Sequence, residues 1–171
     1  QIKSFLNKEL NYIKNYMDWI YNITQQNREL LLKFMNKFSL DQLNQVPAGY
    51  RNSIYWNIAH TVVTQQLLTY GLSNKPLLID IGLVDCYKKG TATSSKATKK
   101  DLEIMKSLLF STIEKTKLDY EKGNFKNFTS YTTSLKITLS SIEEAINFNA
   151  FHEGIHLGYI LSMKNSLLMG D

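Results

Sequence analysis

Two histidines four residues apart, His152 and His156, stand in the stretch Phe151-His152-Glu153-Gly154-Ile155-His156-Leu157-Gly158-Tyr159-Ile160. In a helix this spacing puts both rings on one face, their bases about 6 Å apart, so that one ion could take a ring nitrogen from each. The third and last histidine, His60, falls on the apolar stripe of another helical segment. A single histidine on an apolar face is usually a hydrogen-bonded core residue. Three of them on core stripes of antiparallel elements point instead to a shared metal site, since imidazole suits zinc, nickel, copper and iron and burying three unpaired rings is costly. Three protein ligands leave at least one coordination position for water or substrate, the pattern of catalytic metal sites. There a metal can lower the pKa of a bound water or thiol, or polarise a carbonyl. The expected metal ligands are therefore His60, His152 and His156. No cysteine or carboxylate stands out as a fourth ligand, and no catalytic residue is assigned. Glu153, about 100° around the helix from His152, is expected to face solvent rather than act as a base.

These rings need long helices to carry them. Apolar residues recur at helical spacing from Ile2 to Phe38 through Phe5, Ile13, Tyr16, Ile20, Ile23, Leu30, Phe34 and Phe38, with Leu6, Leu10, Met17 and Leu31 broadening the stripe and polar residues clustered at Asn22 to Gln26 where a break would fall. Ser39 to Leu43 reads as a short capped turn and Val46-Pro47-Ala48-Gly49 as a loop. A second helix from Ser53 to Tyr70, stopped by Gly71, has the inward line Trp56, His60, Val63, Leu67 and Tyr70. Asn57 and Thr64 flank His60 at helical spacing and are placed to orient its ring or to line the same pocket. A third helix runs from Thr98, boxed by Asp101, to Tyr120. The last runs from Ser141, boxed by Glu144, to Met169, with Ala145, Phe148, Asn149, His152, Ile155, His156, Tyr159 and Met163 as its inward stripe. Between the second and third helices, Leu72 to Ala97 is a long irregular segment of the kind that forms a lid or packs over a core. Thr129 to Thr138 has room for a short extended piece.

The expected fold is all-α: one domain over residues 1–171, a four-helix up-down bundle with a long crossing connection between helices 2 and 3. Eight glycines and two prolines leave few breaks for a many-turned β fold. The net charge of +5 comes from lysines spread along the chain, with Arg28 and Arg51 the only arginines, which argues against nucleic-acid binding. No apolar run is long enough for a membrane span, and no segment has a signal-peptide pattern. The lone Cys86 rules out an internal disulfide and suits a reducing compartment.

Trp56-Asn57-Ile58-Ala59-His60, together with His152-Glu153-Gly154-Ile155-His156-Leu157-Gly158, resembles the DinB-like superfamily, which includes YfiT-type metal-dependent hydrolases. The resemblance covers most of the chain, and residues 1–18 extend beyond the usual start of the family's first helix. It implies a four-helix bundle with a histidine triad matching His60, His152 and His156, and a divalent ion that is zinc, nickel or iron. It also implies a bacterial cytoplasmic protein and a homodimer. Relatives of this type include the mycothiol-dependent maleylpyruvate isomerase and the bacillithiol transferases. The activity so implied is hydrolysis by a metal-bound water or transfer of a low-molecular-weight thiol, on a small-molecule substrate. The alternative is a non-catalytic metal-binding bundle with a structural, sensing or stress-related role.

Overall fold

The computed structural model describes residues 2–168, with side chains placed for residues 7–167, and it is mostly helical. Helix α1 spans Ile2–Lys37 and runs without a break through the polar cluster at Asn22 to Gln26. The short α2, Leu40–Asn44, carries the expected cap: Ser39 accepts from the Gln42 amide while the Gln42 side chain accepts from the Ser39 amide. Helix α3, Ile54–Gln66, begins at Ser53, whose hydroxyl accepts from Trp56 N at 3.1 Å. It continues as one π-helical turn, Leu67–Gly71. Helix α5, Lys99–Glu121, starts from the Thr98–Asp101 box and gives way to a left-handed Gly123 with φ +67°. The last helix, α6, spans Ile142–Leu168, and its expected end at Met169 lies outside the described residues.

The connection after α3 is less irregular than its composition implies. It contains a two-turn helix, α4, Ile81–Tyr87, capped by Asp80, whose carboxylate accepts from Gly82 N. Ile79, Leu83 and Tyr87 from this segment pack on the main core, so it covers that core, one of the two parts expected of it. The extended piece is a minimal hairpin, β1 Tyr131–Thr132 against β2 Thr138–Leu139.

Helix α3 is buried on nearly every side, with its polar Asn57, His60, Thr61, Gln65 and Gln66 buried alongside its apolar residues. Helix α1 contacts α5 and α6, and α3 contacts the same two. Leu31, Met35, Ile54, Ile58, Val62, Met105, Leu109, Ile160 and Met163 meet in the main core, and Met17, Ile20, Ile142 and Ile146 form a second cluster toward the other end of α1. Burying each large aliphatic chain contributes roughly 1.5–3 kcal/mol. No helix among the described residues is long and apolar enough to cross a membrane.

The expected apolar stripes need correction on α1 and α6. On α1, Leu10, Ile13, Tyr16 and Leu30 are exposed, whereas Met17, Ile20, Leu31 and Phe38 of the expected stripe are buried together with Thr24, Arg28 and Met35. On α6, Ile155 and Tyr159 are exposed, while Ala145, Asn149 and Met163 of the expected stripe are buried together with Ile146, Ala150, Glu153 and Ile160. In both helices the true core face carries polar residues that pair with each other, so hydrophobicity alone draws the stripe about one position off.

Candidate metal centre

Helix α3 presents His60 from a fully packed face, and α6 presents His152 and His156 one turn apart, both half-buried at the edge of its core stripe. The structure brings all three rings together. Centroids lie 5.2 Å apart for His60 and His152, 4.7 Å for His60 and His156, and 4.5 Å for His152 and His156. One ring nitrogen from each lies within 4.8 Å of the others.

Hydrogen bonds decide which nitrogens face inward. His60 donates from Nδ1 to the Tyr87 carbonyl at 2.6 Å, which leaves Nε2 bare, with Thr64 Oγ1 3.3 Å away. The Trp56 indole stacks on the same ring, 4.6 Å between centroids and 11° between planes, and restrains its tilt. Asn57 donates from Nδ2 to the Ser53 carbonyl, so its Oδ1 faces His156 and accepts from that ring's Nδ1 at 2.8 Å. His156 Nε2 is therefore also bare. It stands 3.2 Å from His152 Nε2, close to the separation of about 3.3 Å between two ligand atoms on a tetrahedral ion with bonds of 2.0–2.1 Å. His152 Nδ1 is buried with no partner among the described residues.

All three rings are held in the neutral form that coordinates metals. Burial pushes His152 down to about 3, helped by the neighbouring His156 and His60 and by Arg28. Burial, then His60, takes His156 down to about 4. His60 is lowered by burial against the opposing effect of its bond to Tyr87. Two rings fixed by their outer nitrogens, and a neutral cluster with bare nitrogens at ligand spacing, fit a divalent ion.

Glu153 is not exposed, contrary to the expectation from its helical angle. Its side chain is fully buried and forms a bidentate pair with the equally buried Arg28, Nε to Oε2 at 2.8 Å and Nη2 to Oε1 at 2.7 Å. Arg28 also donates to the Leu109 carbonyl, and Asn149 donates to Glu153 Oε1. The pair ties α1, α5 and α6 together directly beneath the histidines, and both carboxylate oxygens are engaged. Asn57 differs too from its expected part, since it orients His156 and not His60. Thr64 does reach His60, and the Tyr87 carbonyl supplies the ring's other restraint. A backbone carbonyl leaves no trace in residue identity.

Two cavities open beside the cluster. One, of about 340 Å³, is lined by His60 and His152 with Leu67, Leu68, Leu72 and Phe148. The other, of about 430 Å³, meets His156 and is lined by Trp56, Asn57, Arg51, Asn52 and Tyr159. Both are within the size range of small-molecule sites.

The sequence agrees with the model of the DinB superfamily over residues 23–160. No curated protein sequence is significantly similar to it. The matched span holds all three histidines, both members of the Arg28–Glu153 pair and the four long helices except for the start of α1 and the end of α6, so the chain belongs to the DinB superfamily.

Proposed function

We propose that His60, His152 and His156 together hold one divalent ion, either zinc, nickel or iron, and that the chain is a metal-dependent enzyme acting on a small molecule. The reading carries with it the four-helix up-down bundle of the family. The observation that supports it most is the set of three ring nitrogens within 4.8 Å of one another, two of them oriented by Tyr87 and Asn57 from behind. When bound, the ion supplies Lewis acidity toward a water or a low-molecular-weight thiol, the chemistry of hydrolysis or of thiol transfer. The chain's own part is to orient the rings, exclude water on the α3 side and admit substrate through the flanking cavities. A non-catalytic metal-binding role is favoured by one feature: Glu153, the carboxylate next to the cluster, is locked by Arg28 and unavailable as a base.

The test begins with elemental analysis of untagged protein. Removal of the ion by a chelator is expected to abolish hydrolase or thiol-transfer turnover found by screening, and zinc, nickel or iron(II) to restore it. A protein that binds metal but turns over no substrate, and that unfolds cooperatively on chelation, belongs to the non-catalytic alternative. Failure to retain any divalent ion sinks both.

The contact behind His156 makes a separate prediction. Asn57→Ala is expected to lower metal affinity roughly 10–100-fold, the usual cost of losing a partner that orients a ligand. Asn57→Asp, which keeps an acceptor facing Nδ1, is expected to retain most of it. Equal affinities for wild type and Asn57→Ala in a competitive chelator titration would show that Asn57 does not orient the ligand.

A further inference from the structure

The cavity beside His60 and His152 has an uneven chemistry. Its floor and sides are Leu67, Leu68, Leu72 and Phe148, and the hairpin closes it with Tyr131, Thr133 and Ser134. The π-helical turn Leu67–Gly71 shapes this wall, for Leu67 and Leu68 belong to it and Leu72 follows it. Apart from the histidines, the one ionisable amine or acid on the lining is the exposed Lys89. Among the described residues no aspartate or glutamate lines the cavity.

Lys89 is positioned by its loop. The neighbouring Lys88 turns away to Asp85 at 2.8 Å, whereas Lys89 has no carboxylate partner among the described residues. Gly90, at φ +92°, makes the turn that follows, and its carbonyl accepts from Arg51. Thr91 Oγ1 accepts from the Trp56 indole, and Thr93 N donates to Asn52. The segment is thus pinned to the start of α3, and its Tyr87 carbonyl holds His60. One strap orients a candidate ligand and carries the cavity's only ammonium group.

The electrostatic balance points the same way. The nearby carboxylate of Glu153 is paired with Arg28, which leaves Lys89 as the charged side chain on the described lining, joined by any divalent ion the histidines hold. The chamber is therefore net positive with or without metal. Apolar walls favour a hydrocarbon or aromatic body, while uncompensated positive charge favours an anionic group and rejects a cation.

Resting on the reading of the histidine cluster as a catalytic metal site, we propose that this cavity is the substrate chamber, and that its substrates are compact molecules with an apolar body and one anionic group bound by Lys89. The body packs on Leu67, Leu68, Leu72 and Phe148. Lys89 is the specificity-determining residue.

The experiment compares three probes of similar shape, phenylbutyrate, phenylbutanol and phenylbutylamine. Binding is measured by calorimetry and by Trp56 fluorescence, on metal-free and on cobalt-loaded protein. Phenylbutyrate is expected to bind most tightly and phenylbutylamine least. Lys89→Gln should weaken phenylbutyrate about tenfold, the value of one charge-assisted hydrogen bond, and leave phenylbutanol unchanged. Lys89→Glu should reverse the order of the two charged probes. Because Lys89 is exposed, both variants should keep the wild-type helical circular dichroism. Equal binding of the three probes by wild type, or equal phenylbutyrate affinity in Lys89→Gln, overturns the proposal, as does absence of measurable phenylbutyrate binding. Cobalt uptake is read separately from its visible spectrum. Loss of uptake overturns the metal reading, while the metal-free arm still decides the chamber and its charge preference.

Discussion

His156→Ala is expected to abolish tight divalent-metal binding, and with it any turnover, while leaving a folded helical protein. The loss in affinity should exceed the roughly 10–100-fold that follows removal of an orienting partner, because a ligand itself is gone. Retention of the fold follows from where stability resides. The main cluster of Leu31, Met35, Ile54, Ile58, Val62, Met105, Leu109 and Ile160 is separate from the rings, and a chain of this length buries enough surface to fold without an ion. His156 is only half-buried at the edge of that core, so truncation leaves a partly open pocket instead of a sealed cavity. Asn57 keeps its bond to the Ser53 carbonyl in the variant. The measurements are metal content by elemental analysis, helicity by circular dichroism, and melting temperature with and without chelator. A variant that keeps stoichiometric metal at wild-type affinity removes His156 from the ligand set. One that unfolds outright assigns the ion a structural role, since its binding free energy would then be part of folding.

Glu153→Gln should cost far more stability than an ordinary polar substitution. Its carboxylate and the Arg28 guanidinium are both fully buried, and removing one charge leaves the other uncompensated in a region of low dielectric. Breaking a buried pair in this way costs roughly 3–5 kcal/mol. For a protein of this size that corresponds to a fall in melting temperature of about 10 °C. Replacing both partners together, as in Arg28→Met with Glu153→Leu, should recover much of the loss, because no charge is then stranded. Calorimetry of wild type, Arg28→Met, Glu153→Leu and the double variant forms a complete cycle. If Glu153→Gln melts within two or so degrees of wild type, less than the effect of one kcal/mol, the pair contributes little. The pair also bears on the metal centre, because it fixes the rotation of α6 on which His152 and His156 are carried. Metal affinity in the double variant therefore reports whether packing alone can hold that rotation.

Helical class and the meeting of the histidines could be read from residue order, because both depend on local periodicity. The scarcity of breakers, the caps at Ser53 and Thr98, and the four-residue step from His152 to His156 are properties of neighbouring residues, and each is present in the folded chain. The serine at position 141 likewise accepts from Glu144 N, although the Glu144 carboxylate reaches Ser140 N one residue earlier than a simple box requires. The rotation of α1 and α6 about their axes was not readable in this way. Arg28 and Glu153 look solvent-seeking on any single-residue scale, yet they occupy core positions.

Their burial is possible only because Arg28 and Glu153, 125 residues apart, satisfy one another across the helix interface. The same limit applies to the supports of the rings. Asn57 sits one turn from His60 but faces His156 on another helix, and His60 is held by a carbonyl from the middle of a connection that composition marks as irregular. Local order along the chain determined the helices and the four-residue step that sets His152 beside His156. Tertiary structure alone decided which polar groups could be buried and which nitrogen of each ring is left bare, because both depend on partners that only folding brings within hydrogen-bond reach.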